Sequence, residues 1–125
     1  MILEFENNIP IFVQIVEKFK VSIISGELKS GEKLASVREL ALQFKVNPNT
    51  MLKALTELEE VGFIFTERTN GKFVTTDTLL IEKFRKQYAK SVTKHFINCM
   101  SSIGYDKETI LKEIEDIGDE WLWHF

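Results

Sequence analysis

The stretch NPNTMLKALTELEEVG, Asn47 to Gly62, constrains this chain most, because it carries its own start and stop. Asn47 is a good N-cap: its side-chain oxygen can accept from an orphan N–H of the first turn. Pro48 fits the first helical position, where its missing donor costs nothing. Gly62 supplies the stop. Met51, Ala54, Leu55, Leu58 and Val61 recur at three- and four-residue spacing, so that face must meet a core. Near the N-terminus the opposite face carries Asn49, Thr50 and Lys53, an amide, a small hydroxyl and a cation. Such groups on the first turns of a helix can address a DNA major groove. A solvated amphipathic helix also fits this segment taken alone.

Upstream, Pro10 opens an amphipathic helix reaching about Ser25, with Ile11, Ile15, Phe19 and Ile23 on its apolar side and Gly26 as its stop. Glu27 to Leu34 reads as a turn relaxed by Gly31. Ser36-Val37-Arg38-Glu39 is a capping box, Ser at N-cap and Glu at N3. The short helix it starts faces Val37, Leu40, Ala41 and Phe44 inward. Lys45-Val46 leads at once into Asn47, so the two helices form a helix-turn-helix whose second member is exposed.

Beyond Gly62, the β-formers Phe63 to Glu67 and Lys72 to Thr76 flank Asn70-Gly71, a favoured hairpin signal because both residues tolerate positive φ. A helix-turn-helix followed by a hairpin is a winged helix. From Asp77 or Thr78 a long helix runs to about Ile103, with Ile81, Phe84, Tyr88, Val92, Phe96, Cys99 and Ile103 along its seam. Asp106 caps a last helix bearing Ile110, Ile114, Ile117, Trp121 and Phe125. Two helices cannot bury such wide apolar faces alone, so a partner chain is implied. The expected fold is α+β and mainly α. A winged helix-turn-helix DNA-binding domain (1–76) precedes an α-helical dimerisation hairpin (77–125).

Charge limits how such a protein meets DNA. Residues 1–76 hold nine Lys/Arg against ten Asp/Glu, and residues 77–125 hold seven against nine. Neither half is a basic block, so a nucleic-acid contact must come from a local basic surface doubled by dimerisation. No long uncharged apolar run and no basic-then-apolar leader is present, so neither a membrane span nor secretion is expected. Cys99 stands alone; no intrachain disulfide can form, and a cytoplasmic setting is expected.

The segments PIFVQI, SGELKSGEKLASVRELA, VNPNTMLKALTELEEVGFI and NGKFV, in that order, resemble the GntR-type transcriptional regulators over roughly residues 9–76. The VNPNT segment and the two-helix tail are similar to the YtrA-type subfamily. The resemblance implies a homodimeric winged-helix repressor on an inverted-repeat operator, often that of a transporter operon. By position, Arg38 matches the family's base-reading arginine. That suits a guanidinium, which can bond the O6 and N7 of guanine together. Ser36 matches a position near the phosphate backbone, Asn49 and Thr50 match phosphate-holding residues, and Lys53 a basic position one turn on. Gly71 matches the wing-tip glycine, which lets backbone approach the minor groove, and Lys72 beside it is a candidate DNA-phosphate contact. This chain departs from the family at Pro48 and Leu52, where many members carry arginine, and at Thr69, where a glycine is common. At Lys45, where glycine is frequent, a positive φ would cost about 1 kcal/mol.

His95 and Cys99 stand at i and i+4, a metal-compatible spacing, but only two ligands are visible; a buried thiol on the seam is expected and no metal. The acidic groups Glu113 to Glu120 interleave with apolar residues as a solvated face. Phe84, Tyr88, Phe96, Ile114 and Trp121 are the expected dimerisation residues, and Trp123 and Phe125 also suit packing across a dimer seam. No nucleophile–base pair, phosphate-cradling loop or ligand set supports catalysis or a cofactor. The expected partners are an operator duplex and a second copy of the chain; no small-molecule effector is specified. Two other readings remain: a dimeric winged-helix module that binds protein rather than DNA, and a DNA-binding regulator switched through Cys99 and His95.

Overall fold

The structure, a computed structural model, describes residues 3–121, with side chains through Gly118. The first of two units ends at Arg85. Its framework is three helices, α1 (Ile11–Ser25), α2 (Val37–Phe44) and α3 (Pro48–Val61). Ile15, Phe19 and Ile23 of α1, Leu40, Ala41 and Phe44 of α2, and Met51, Leu55 and Leu58 of α3 form one core. The rings of Phe19 and Phe44 stack at 5.6 Å. Each of these side chains other than Ala41 contributes about 1.5–3 kcal/mol through burial.

The helix ends follow the sequence signals. Pro10 cannot cap α1 with a side chain, and Gln14 organises the preceding segment instead. Its Oε1 accepts from Glu6 N–H at 2.9 Å, while Nε2 donates to the Glu6 and Ile9 carbonyls, both at 2.9 Å. Gly26 ends α1 at φ 85° and Gly62 ends α3 at φ 98°. Between α2 and α3, Lys45 takes φ 57°, the one described non-glycine residue in the left-handed region. The turn therefore carries the strain its family position suggested, about 1 kcal/mol.

The wing pairs β1 (Ile64–Glu67) with β2 (Gly71–Val74) antiparallel, Ile64 opposite Val74 and Glu67 opposite Gly71. Both strands are shorter than the expected Phe63–Glu67 and Lys72–Thr76, and β2 begins one residue earlier, at Gly71. The loop is Arg68-Thr69-Asn70, and only Gly71 has positive φ, at 100°. A three-residue hairpin loop closes this way, with a turn followed by one left-handed residue. The turn expected over Glu27–Leu34 also contains more order. Val74 N–H donates to the Glu32 carbonyl at 2.8 Å, Leu34 N–H to the Lys72 carbonyl at 2.9 Å, and Lys33 bridges to Phe73. This edge covers the outer side of β2.

The long helix α4 (Thr78–Ser102) begins inside the first unit. Asp77 Oδ1 accepts from Leu80 N–H at 3.1 Å. Ile81 is buried, the Phe84 ring stacks on Phe63 at 4.2 Å, and Arg85 donates to the Ile24 carbonyl from Nε (3.2 Å) and Nη2 (2.7 Å). A chain ending at Thr76 is therefore expected to be less stable than one ending at Arg85 by about 3–5 kcal/mol, the cost of emptying large core sites. Urea unfolding of the two fragments measures this, and equal midpoints would contradict the placement of Ile81 and Phe84.

The second unit holds the rest of α4 and α5 (Lys107–Trp121), joined through Gly104 at φ 88°. Asp106 and Thr109 cap α5 reciprocally. Thr109 N–H donates to Asp106 Oδ1 at 3.0 Å and Asp106 N–H to Thr109 Oγ1 at 2.9 Å. The Thr109 N–H holds the Asp106 carboxyl below its usual range. Tyr88, Val92, Phe96, Ile97, Leu111, Ile114 and Ile117 are each 37–49% exposed, a large apolar surface for so small a unit. Cys99, expected to be buried on the seam, is exposed. Phe96, Ile97 and Ser101 line the groove toward Ile110 and Ile114, and Cys99 is not among the residues that line it. The side chain of Trp121, with Leu122, Trp123 and Phe125, lies outside the described residues.

Candidate nucleic-acid interface

Leu40, Ala41 and Phe44 fix α2 against the core, which leaves the other side of its first turn free. Ser36 Oγ accepts from Glu39 N–H and donates to Glu39 Oε1, both at 3.1 Å. The carboxylate thus answers the hydroxyl rather than the Ser36 backbone, a variant of the expected box. Arg38, on this turn, is exposed and belongs to neither ion pair found among the described residues. All five of its guanidinium donors are available to a ligand.

On α3, Asn47 Oδ1 accepts from Asn49 N–H at 2.7 Å and sets the helix start. Asn49 is exposed and Thr50 half-buried. The Lys53 ammonium lies 4.0 Å from the Phe12 ring centroid, a cation–π contact that holds it against α1. Asn49, Leu52 and Lys53 line one open groove with Phe12 and Thr56. Leu52 is 46% exposed, so it presents a methyl surface beside the polar groups instead of packing inward.

A second groove of about 620 Å³ runs between the start of α2 and the wing. It gathers Ser36, Gly71 and Lys72, while Arg38 and Thr50 line neither groove. Lys72 Nζ donates to Thr66 Oγ1 at 2.9 Å and lies 3.7 Å from Glu59 Oε2. A hydrogen bond from the Thr66 side chain lowers the Glu59 pKa, against partial desolvation, and the Lys72 charge adds to the lowering. Lys33 and Arg68 also line this groove, and sequence reading passed over both. Arg68 was legible as a cation in the wing loop. Lys33 was not, because its place beside β2 depends on the edge pairing with Phe73.

Of the expected dimerisation residues, Tyr88, Phe96 and Ile114 are exposed on the second unit, and Phe84 lies half-buried on Phe63 in the first. His95 Nε2 and Cys99 Sγ stand 3.7 Å apart, and no cluster of three metal-binding side chains occurs among the described residues. No described helix is long and apolar enough to cross a membrane.

Residues 12–74 match the family described as bacterial regulatory proteins, gntR family. The HTH-type transcriptional repressor YtrA of Bacillus subtilis (strain 168) is 36% identical over 110 residues, 86% of this chain and 84% of that protein. A GntR family transcriptional regulator from Listeria monocytogenes superposes with a TM-score of 0.85 at 41% identity, covering 90% of this chain and 98% of that one. AraR(DBD), solved in complex with operator ORX1, superposes with a TM-score of 0.54 at 26% identity over 60% of this chain and 95% of its own. With the winged helix, the capped recognition helix and these likenesses together, the chain belongs to the GntR family of bacterial transcriptional regulators and is similar to its YtrA-type members.

Proposed function

We propose that the protein is a homodimeric repressor that binds an inverted-repeat operator. The observation that carries this reading is the contrast on α2 and α3. One side buries Leu40, Ala41 and Phe44 of α2 and Met51, Ala54, Leu55 and Leu58 of α3, with Val61 at the end of α3 left exposed, while Arg38 and Asn49 stay exposed on the other. The AraR(DBD) complex and the repressor name of the Bacillus relative support it. In this mechanism the first turn of α3 enters the major groove. Arg38 bonds the O6 and N7 of guanine. Asn49 and Thr50 hold phosphates, Ser36 lies near the phosphate backbone, and the backbone at Gly71 approaches the minor groove, since no Cβ stands in the way.

Self-association falls to the exposed apolar surface of the second unit, including Tyr88, Phe96 and Ile114. Two copies then place two recognition helices on one face of the duplex, and the second contact becomes intramolecular. Sedimentation of the full chain is expected to give a dimer at micromolar concentration; a monomer there would contradict the reading.

Lys53 tests the phosphate part of the mechanism. It must leave or share the Phe12 ring to touch DNA. Lys53→Ala is expected to weaken specific and scrambled duplexes alike and to lower the salt slope by about one unit per half-site. An unchanged slope in titrations across salt would make Lys53 a structural partner of Phe12 only.

A further inference from the structure

Three cations surround the groove between α2 and the wing, and their environments differ. Lys72 is engaged: its ammonium sits on Thr66 Oγ1 at 2.9 Å and 3.7 Å from Glu59 of α3. Its side chain is only 20% exposed. Lys33 and Arg68 are exposed and belong to neither ion pair found among the described residues. Lys33 is carried beside the wing by its bridge to Phe73, with Cε 3.5 Å from where a Cβ on Gly71 would sit. Arg68 stands in the wing loop itself. The two carboxylates in the groove have local donors, Glu39 from the Ser36 hydroxyl and Glu67 from Asn70 Nδ2, both at 3.1 Å.

We infer that these cations divide the work at the wing: Lys33 and Arg68 take the DNA phosphates, while Lys72, held by Glu59 and Thr66, braces the wing against the recognition helix. A phosphate reaching Lys72 would have to displace a carboxylate and a hydroxyl already in place. At Lys33 and Arg68 it would displace only water. Glu59 is thereby a positioning residue: it touches no DNA and acts through Lys72 on the angle between β1–β2 and α3. The coupling joins the element addressed to the major groove with the one addressed to the minor groove, and a loose wing would lose part of its contact.

This inference rests on the DNA-binding reading, and the test separates the two. The probe is a duplex selected by the full chain from a random pool, titrated between about 50 and 200 mM salt. Lys33→Met and Arg68→Met are each expected to lower the salt slope by about one unit per half-site. Lys72→Met and Glu59→Gln are expected to leave the slope unchanged and to weaken binding several-fold at every salt concentration. The Lys72→Met/Glu59→Gln double variant is expected to be no weaker than either single one, because both remove one brace. A slope that falls with Lys72→Met and stays constant with Lys33→Met and Arg68→Met would overturn the division. So would additive losses in the double variant. If the unsubstituted chain selects no duplex at all, the DNA-binding reading itself falls.

Discussion

Ile114→Glu is expected to reduce operator affinity by about 10²–10⁴-fold while leaving the winged helix folded, the size of the avidity lost when two linked contacts become independent. Ile114 is 48% exposed on α5 and lines the apolar groove toward Phe96, Ile97 and Ile110. In a dimer, a carboxylate there would be buried against hydrocarbon without a partner, which a weak apolar interface cannot tolerate. The first unit has its own core through Arg85, so its unfolding should be unaffected. Sedimentation and gel shift on one preparation read both effects. A variant that stays dimeric, or a monomeric one that binds as tightly as the parent, would remove dimerisation from the mechanism.

Arg38→Ala is expected to lose about 1–3 kcal/mol of specific affinity and to relax preference at one base pair in each half-site. The position is set by the cap at Ser36 and by the burial of Leu40, Ala41 and Phe44, so removing the guanidinium should leave α2 in place. In a dimer the change occurs twice on the operator. Competition between selected and scrambled duplexes measures it. Unchanged affinity for both duplexes would mean that Arg38 contacts no DNA, and a uniform loss on both would make it a phosphate contact rather than a base reader.

The helices were legible because their ends are chemically marked. Ser36, Asn47, Asp77 and Asp106 each cap a helix, and Gly26 and Gly62 each stop one. Local chemistry of this kind is readable one turn at a time. What escaped depends on distant pairing. The edge at Glu32–Leu34 exists because Val74 and Lys72 lie beside it in space, some forty residues away in sequence. The extension of the first unit to Arg85 was hidden similarly. Phe84 continues a heptad-like seam along α4, and only its stack on Phe63 shows that it serves the first core. The hairpin lies where the β-formers place it, but β2 runs from Gly71 to Val74 rather than from Lys72 to Thr76, because Gly71 pairs with Glu67 across the loop.

At the candidate interface, the sequence could mark Arg38 and Asn49 as exposed polar groups at the start of helices. It could not show which lysines were free. Lys53 lies over Phe12 and Lys72 sits on Glu59 and Thr66, contacts made between elements that sequence spacing does not relate. Cys99 was misjudged for a related reason. The seam of α4 is continuous in sequence, yet in the single chain that cysteine stays exposed.

Selection of bound sites from a random duplex pool by the 125-residue chain tests operator recognition by a two-fold dimer most directly. The expected result is an enriched inverted repeat whose half-sites lie a whole number of helical turns apart, about 34–36 Å per turn, as two recognition helices on a two-fold axis require. Enrichment of a single unrepeated motif, or of no sequence at all, would contradict it.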